Sequence, residues 1–92
     1  MSVRIDDIEF GDVTYDPEAD VLYLWDGEPR RPAYADASPE GHYLQFWPDG
    51  ALIAVTIVNA RWLLEQDGKI VITLPDHRRL ETSDLGDVLA AA

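Results

Sequence analysis

Two stretches of this chain are apolar at successive positions and not only at alternate ones. Val21, Leu22, Tyr23, Leu24 and Trp25 run without a polar break, and Ala51 to Val58 is interrupted only by Thr56. Both are rich in β-branched and aromatic residues. Both are bounded by turn formers, Asp26-Gly27 after the first and Pro48-Asp49-Gly50 before the second, so they read as strands. Neighbouring side chains on a strand point to opposite faces. Such strands are oily front and back, whereas an antiparallel sheet ordinarily turns a polar reverse side to water. The fold must either supply two covers for one sheet or leave one face for another molecule.

Ninety-two residues make one small domain, taken as 1–92 with a core over 10–74 and a C-terminal extension over 75–92. A hydrophobic content of 47% is high enough for such a chain to fold despite its net charge of −11. Residues 1–9 read as a frayed arm or short edge strand with no assigned role. Phe10–Tyr15 and Val21–Trp25 form a hairpin whose first strand Pro17 stops, because proline cannot donate to a ladder. Residues 28–41 are loop-rich, with Ala33–Ala37 available as a short third strand on the sheet edge. His42–Trp47 and Ala51–Val58 form a second hairpin around the Pro48-Asp49-Gly50 turn. Asn59 is the expected N-cap of a two-turn helix carrying Ala60, Leu63 and Leu64, stopped by Asp67 and Gly68. Lys69–Leu74 is a further strand with Arg79–Glu81 as its return. Ser83 caps a last short helix, with Asp84 at its positive end and Leu85, Val88 and Leu89 as its apolar stripe. The expected class is α+β, mainly β: a small antiparallel sheet of hairpins with one or two short helices packed on it.

On that reading Leu22, Leu24, Leu44, Phe46, Ile53, Val55 and Ile57 share the front face. Tyr23, Trp25, Tyr43, Trp47, Leu52 and Val58 share the rear. Two covers for the rear face are open: the strand at Ile70–Leu74 with the helix at Leu85–Leu89, or a second molecule. Tyr and Trp carry large contact areas, and an exposed aromatic face suits a homodimer or a partner.

The charge excludes other classes. Residues 1–49 hold 12 acids and 3 bases, residues 50–92 hold 6 and 4, and the seven basic residues are scattered. Direct binding to nucleic acid or to an anionic membrane is not expected. No apolar run approaches the roughly 20 residues of a membrane span. There is no basic start followed by an apolar stretch and no Cys, so a cytoplasmic setting is expected. The acid surplus suits a basic protein partner, or simply keeps the chain soluble. Asp16, Glu18 and Asp20 alternate in a loop and carry hard oxygen donors, but the sixth position from Asp16 is Val21, where a calcium loop needs Gly. The simpler account is an Asx turn at Asp16, closed by Asp20. His42 and His77 stand on different elements, with solvated or edge positions expected. No nucleophile motif, metal set or phosphate loop accompanies them, so no catalytic residue, metal or cofactor is assigned. The pairs Arg30-Arg31 and Arg78-Arg79 are expected in surface ion pairs.

Tyr15, Asp16, Pro17, Glu18, Ala19, Asp20, Val21, Leu22, Tyr23 and Leu24, followed by Asp49-Gly50, the Ile53–Val58 strand and Asn59-Ala60, resemble the signature of bacterial domain of unknown function 2283 over about residues 12–65. The resemblance implies a compact sheet with one helix and no assigned catalytic activity. It also implies a gene context that often includes a small RNA-cleaving toxin, hence an antitoxin-like role. The chain departs from it by the Lys69–Ala92 segment and by Trp25-Asp26-Gly27.

The expected function is therefore a non-enzymatic protein–protein interaction module, whose expected partner is first a second copy of itself in a homodimer and then a basic protein. In its sharper form Asp12, Asp16, Glu18, Asp20, Asp26 and Glu28 mimic phosphate and neutralise a basic RNA-cleaving partner. The expected interaction surface is Tyr23, Trp25, Tyr43, Trp47, Asp16, Glu18 and Asp20. The alternative is a small ligand-binding or enzymatic domain, with Tyr23, Tyr43, Trp25 and Trp47 stacking on a planar ligand and His42 as acid or base.

Overall fold

The computed structural model describes residues 2–27, 34–83 and 85–90, with no account of the Asp87 and Ala90 side chains. It is α+β and mainly β, as the hairpin spacing predicts. A central antiparallel sheet is built from β3 (Asp12–Asp16), β4 (Val21–Trp25), β5 (Tyr34–Ala37), β6 (Tyr43–Phe46) and β7 (Leu52–Val58), in the spatial order β3-β4-β7-β6-β5. Two smaller hairpins, β1 (Val3–Ile5) with β2 (Ile8–Phe10) and β8 (Ile70–Thr73) with β9 (Arg79–Thr82), stand outside it. Helix α1 (Ala60–Asp67) follows β7, and a five-residue helix, α2 (Gly86–Ala90), closes the described chain.

The β6–β7 turn forms as expected. Trp47 N–H donates to Ala51 O at 2.9 Å, Asp49 Oδ1 accepts from Ala51 N–H at 2.9 Å, and Gly50 takes φ 88°, which a side chain would strain. At this end the register shifts: Gln45 pairs with Ala54, but the next residue, Phe46, pairs with Leu52. Ile53 is the extra residue of this bulge, and an extra residue reverses which face its neighbours address. Leu52, expected at the rear, therefore joins the main core. Ile53, expected at the front, is buried in a separate small cluster with Trp47 and Ala54.

The largest correction concerns what covers which face. Ile70, Ile72, Leu74, Leu80, Leu85, Val88 and Leu89 fall in one buried cluster with Leu22, Leu24, Leu44, Phe46, Val55 and Ile57. The β8–β9 hairpin and α2 therefore cover the front, beside α1, and not the rear as the intramolecular alternative required. The N-terminal arm also belongs there. Val3, Ile5 and Phe10 are buried in the same cluster, β1 and β2 pair antiparallel, and β1 lies against β9. Residues 1–9 thus supply core side chains, which a frayed arm would not. The core reaches past the 10–74 span at both ends. Phe10 belongs to β2, with Gly11 separating it from β3. β9 and β5 stand where the return and edge strand were expected, with Ala33 outside the described residues, as is Asp84, the expected dipole partner of α2.

Candidate interaction surface

With the front loaded on every side, the rear of the sheet keeps its aromatic residues at the surface. Register places Thr14, Tyr23, Thr56 and Tyr43 in one row across β3, β4, β7 and β6. The flanking rows bring Asp12 beside Trp25 and Ala54, and Asp16 beside Val21 and Val58. Tyr23, Trp25, Tyr43 and Val58 retain 46%, 40%, 49% and 39% of their full exposure and sit together on adjacent strands, not scattered singly. Tyr23 and Tyr43 stand two strands apart, roughly 10 Å at ordinary strand spacing. Half-buried Thr56 forms the floor between them. A flat or extended side chain fits that interval.

The rear face is polarised as well as aromatic. Asp12 and Asp16 edge it from β3, both exposed. The described cations, Arg4, Arg61, Lys69, Arg78 and Arg79, all lie on or beside β1, α1, β8 and β9, and none on the five strands of this sheet. Arg30, Arg31 and Glu28 lie outside the described residues. Of the expected surface residues, Trp47 is withdrawn from the face, 9% exposed against Ile53 and Ala54.

The acidic loop between β3 and β4 divides its carboxylates between local turn and long-range tie. Asp16 Oδ1 accepts from Glu18 N–H at 3.1 Å, the expected Asx turn, while Glu18 is exposed. Asp20 does more than close the turn. Its Oδ1 accepts from the Tyr15 hydroxyl at 2.7 Å and from Arg61 N–H at 2.8 Å, and its Oδ2 from Trp62 N–H at 3.1 Å. Its backbone oxygen accepts from Ala60 N–H at 3.1 Å. Asp20 therefore caps α1 from another hairpin. Asn59, the expected cap, takes a left-handed conformation with φ 61° and makes no side-chain capping bond. Burial pushes the Asp20 carboxyl up, but the bonds donated by Arg61 N–H, the Tyr15 hydroxyl and Trp62 N–H, with the Arg61 charge, outweigh it and hold the group below its usual range. The Arg61 guanidinium stands 5.4 Å over the Tyr15 ring and donates to Leu89 O at 2.9 Å, fastening α2.

His42 departs from its expected edge position. It is 1% exposed, its Nδ1 accepts from Val58 N–H at 3.2 Å, and burial holds it below the usual imidazole value, with Glu40 partly opposing. His77 is exposed, with φ 70°, in the turn before β9. Three hollows line other parts of the surface, and Tyr23, Trp25, Tyr43 and Trp47 border none of these three. Among the described residues no three His, Asp or Glu side chains gather to hold a metal ion, and no helix is long and apolar enough to cross a membrane.

The sequence reading missed the Asp20–α1 tie because the partners are 41 and 42 positions apart. Its only signal is the pairing of Val21 with Val58, which brings the β3–β4 tip to the start of α1 once β4 and β7 are known to be neighbours. Comparison of the chain with known protein families, curated proteins and solved structures finds no match.

Proposed function

We propose that this protein is a non-enzymatic interaction module that receives a basic protein partner on the rear face of its central sheet. The observation that carries the reading is an exposed aromatic row, Tyr23-Thr56-Tyr43, edged by Asp12 and Asp16 on a sheet without a described cation. Arg and Lys side chains are held by such a surface twice over, through the π faces and through carboxylates. A second copy is the poorer fit. It would bring its own Asp12 and Asp16 and its own charge of −11 against an identical face. In the sharper version, supported by the resemblance to bacterial domain of unknown function 2283, the partner is a small RNA-cleaving protein whose phosphate-binding groove is occluded, an antitoxin-like role in the cytoplasm.

The test is co-expression with the product of the neighbouring gene, followed by light scattering on the purified species. The expected result is a complex whose affinity falls as salt rises. The Tyr23→Ser/Tyr43→Ser variant should lose that complex while melting as the parent does. No complex at low salt overturns the proposal, as does a complex indifferent to the two tyrosines. A chain that alone forms a salt-resistant dimer through the same residues assigns the face to a second copy instead.

A further inference from the structure

A hollow of about 350 Å3 lies on the other side of the sheet, lined by Glu40, His42, Leu63, Asp67, Lys69 and Val71. Leu63 and Asp67 are four residues apart on one face of α1, and Glu40 and His42 alternate at the approach to β6. Since His42 Nδ1 accepts the Val58 N–H, the neutral ring carries its proton on Nε2. That buried Nε2–H has no partner among the described residues. A buried donor without an acceptor is costly and uncommon; the atom keeps almost no accessible surface, so an acceptor placed in the hollow meets it only once the ring or its cover shifts. The same tautomer leaves Nε2 no lone pair for a metal ion.

The remaining lining narrows the occupant. Glu40 and Asp67 are acidic against one cation, Lys69, which is also 3.5 Å from Glu81. Glu40 accepts from Thr73 N–H and from the Thr73 hydroxyl, and these bonds, against the cost of burial, keep it ionised. A net anion is repelled from such a hollow. A simple cation leaves the His42 N–H unanswered. Leu63 and Val71, both half-buried, accept an apolar body. The volume lies near the small end of the usual range for ligand sites, about 300–1,000 Å3. We infer that this hollow binds a small zwitterion with an apolar side chain, a free aliphatic amino acid, its carboxylate toward His42 Nε2–H and Lys69 and its ammonium toward Glu40 and Asp67.

The test titrates the isotopically labelled full chain with L-leucine at millimolar concentration and follows the His42 ring nitrogens and the Leu63 and Val71 methyl groups. Two probes lack one charge each: 4-methylpentanoate without the ammonium, 3-methylbutylamine without the carboxylate. Leucine should give saturable shifts at all three residues, with each truncated probe about tenfold weaker or more. His42→Asn keeps an acceptor for Val58 N–H but removes the Nε2–H. It should weaken leucine by a similar factor, as should Asp67→Asn at the exposed end of α1. Unmoved His42 signals overturn the inference, as does equal binding of the truncated probes. Exchange of the Nε2–H with water alone, without ligand shifts, assigns the hollow to solvent and also overturns it. None of these outcomes touches Tyr23 or Tyr43, so this site and the partner surface stand or fall separately.

Discussion

At the scale of single residues, Asp20 and His42 hold the fold together through bonds that local sequence does not announce. Asp20→Ala removes the acceptor for Arg61 N–H, Trp62 N–H and the Tyr15 hydroxyl. It should cost about 2 kcal/mol by urea unfolding, at the upper end for a helix cap because a buried hydroxyl also loses its partner. The Asp20 carboxyl is depressed in the folded chain, so its contribution is present above the unfolded value near 3.8 and lost as pH falls through the lower folded value. His42 acts in a higher window. Its folded value lies below the unfolded 6.5, so the unfolded chain takes up the proton first, and stability drains as pH falls below about 6.5. In urea titrations between about pH 7 and 5, bracketing that unfolded value, His42→Asn should flatten the slope relative to the parent. A slope that stays unchanged would show that His42 does not set it.

At the scale of elements, the chain beyond residue 74 is core and not appendage. Leu80 is fully buried in the main cluster, so Leu80→Ala should cost about 3 kcal/mol by chemical denaturation, as for other large-to-small changes in a core. A peripheral segment would lose far less. The strands were legible where turn chemistry was explicit: Asp49-Gly50 set the β6–β7 hairpin and Asp16-Pro17 ended β3. Legibility failed where one residue shifts a register or a distant partner decides. Nothing in the run from Ala51 to Val58 marks Ile53 as the bulged residue, and strict alternation put Leu52 and Ile53 on the wrong faces. The N-terminal hairpin was illegible because Val3 and Ile5 gain their burial from a layer that includes β9, more than 70 residues away. The hydroxyl and carboxylate of Tyr15 and Asp20 were legible as residues, but their joint task depends on α1 arriving beside them.

At the scale of the whole molecule, charge and apolar surface act on the rear face with opposite salt dependence. Added salt would screen the attraction of these acids for the proposed basic partner and also the repulsion between two copies at −11. Sedimentation over a salt series should therefore show partner affinity falling while any self-association of the isolated chain rises. The partner trend should vanish in Tyr23→Ser/Tyr43→Ser; self-association that resists salt and vanishes in the same variant would assign the face to a second copy. The lopsided stacking has a further consequence for how such a chain can change over time. Because hairpins and helices crowd onto one side, most of the buried core lies on that side of the sheet, with only the small Trp47, Ile53 and Ala54 cluster apart from it. The exposed side chains of Tyr23, Tyr43 and Val58 can therefore change with little loss of packing, and on the proposed function such changes would alter the partner that is bound.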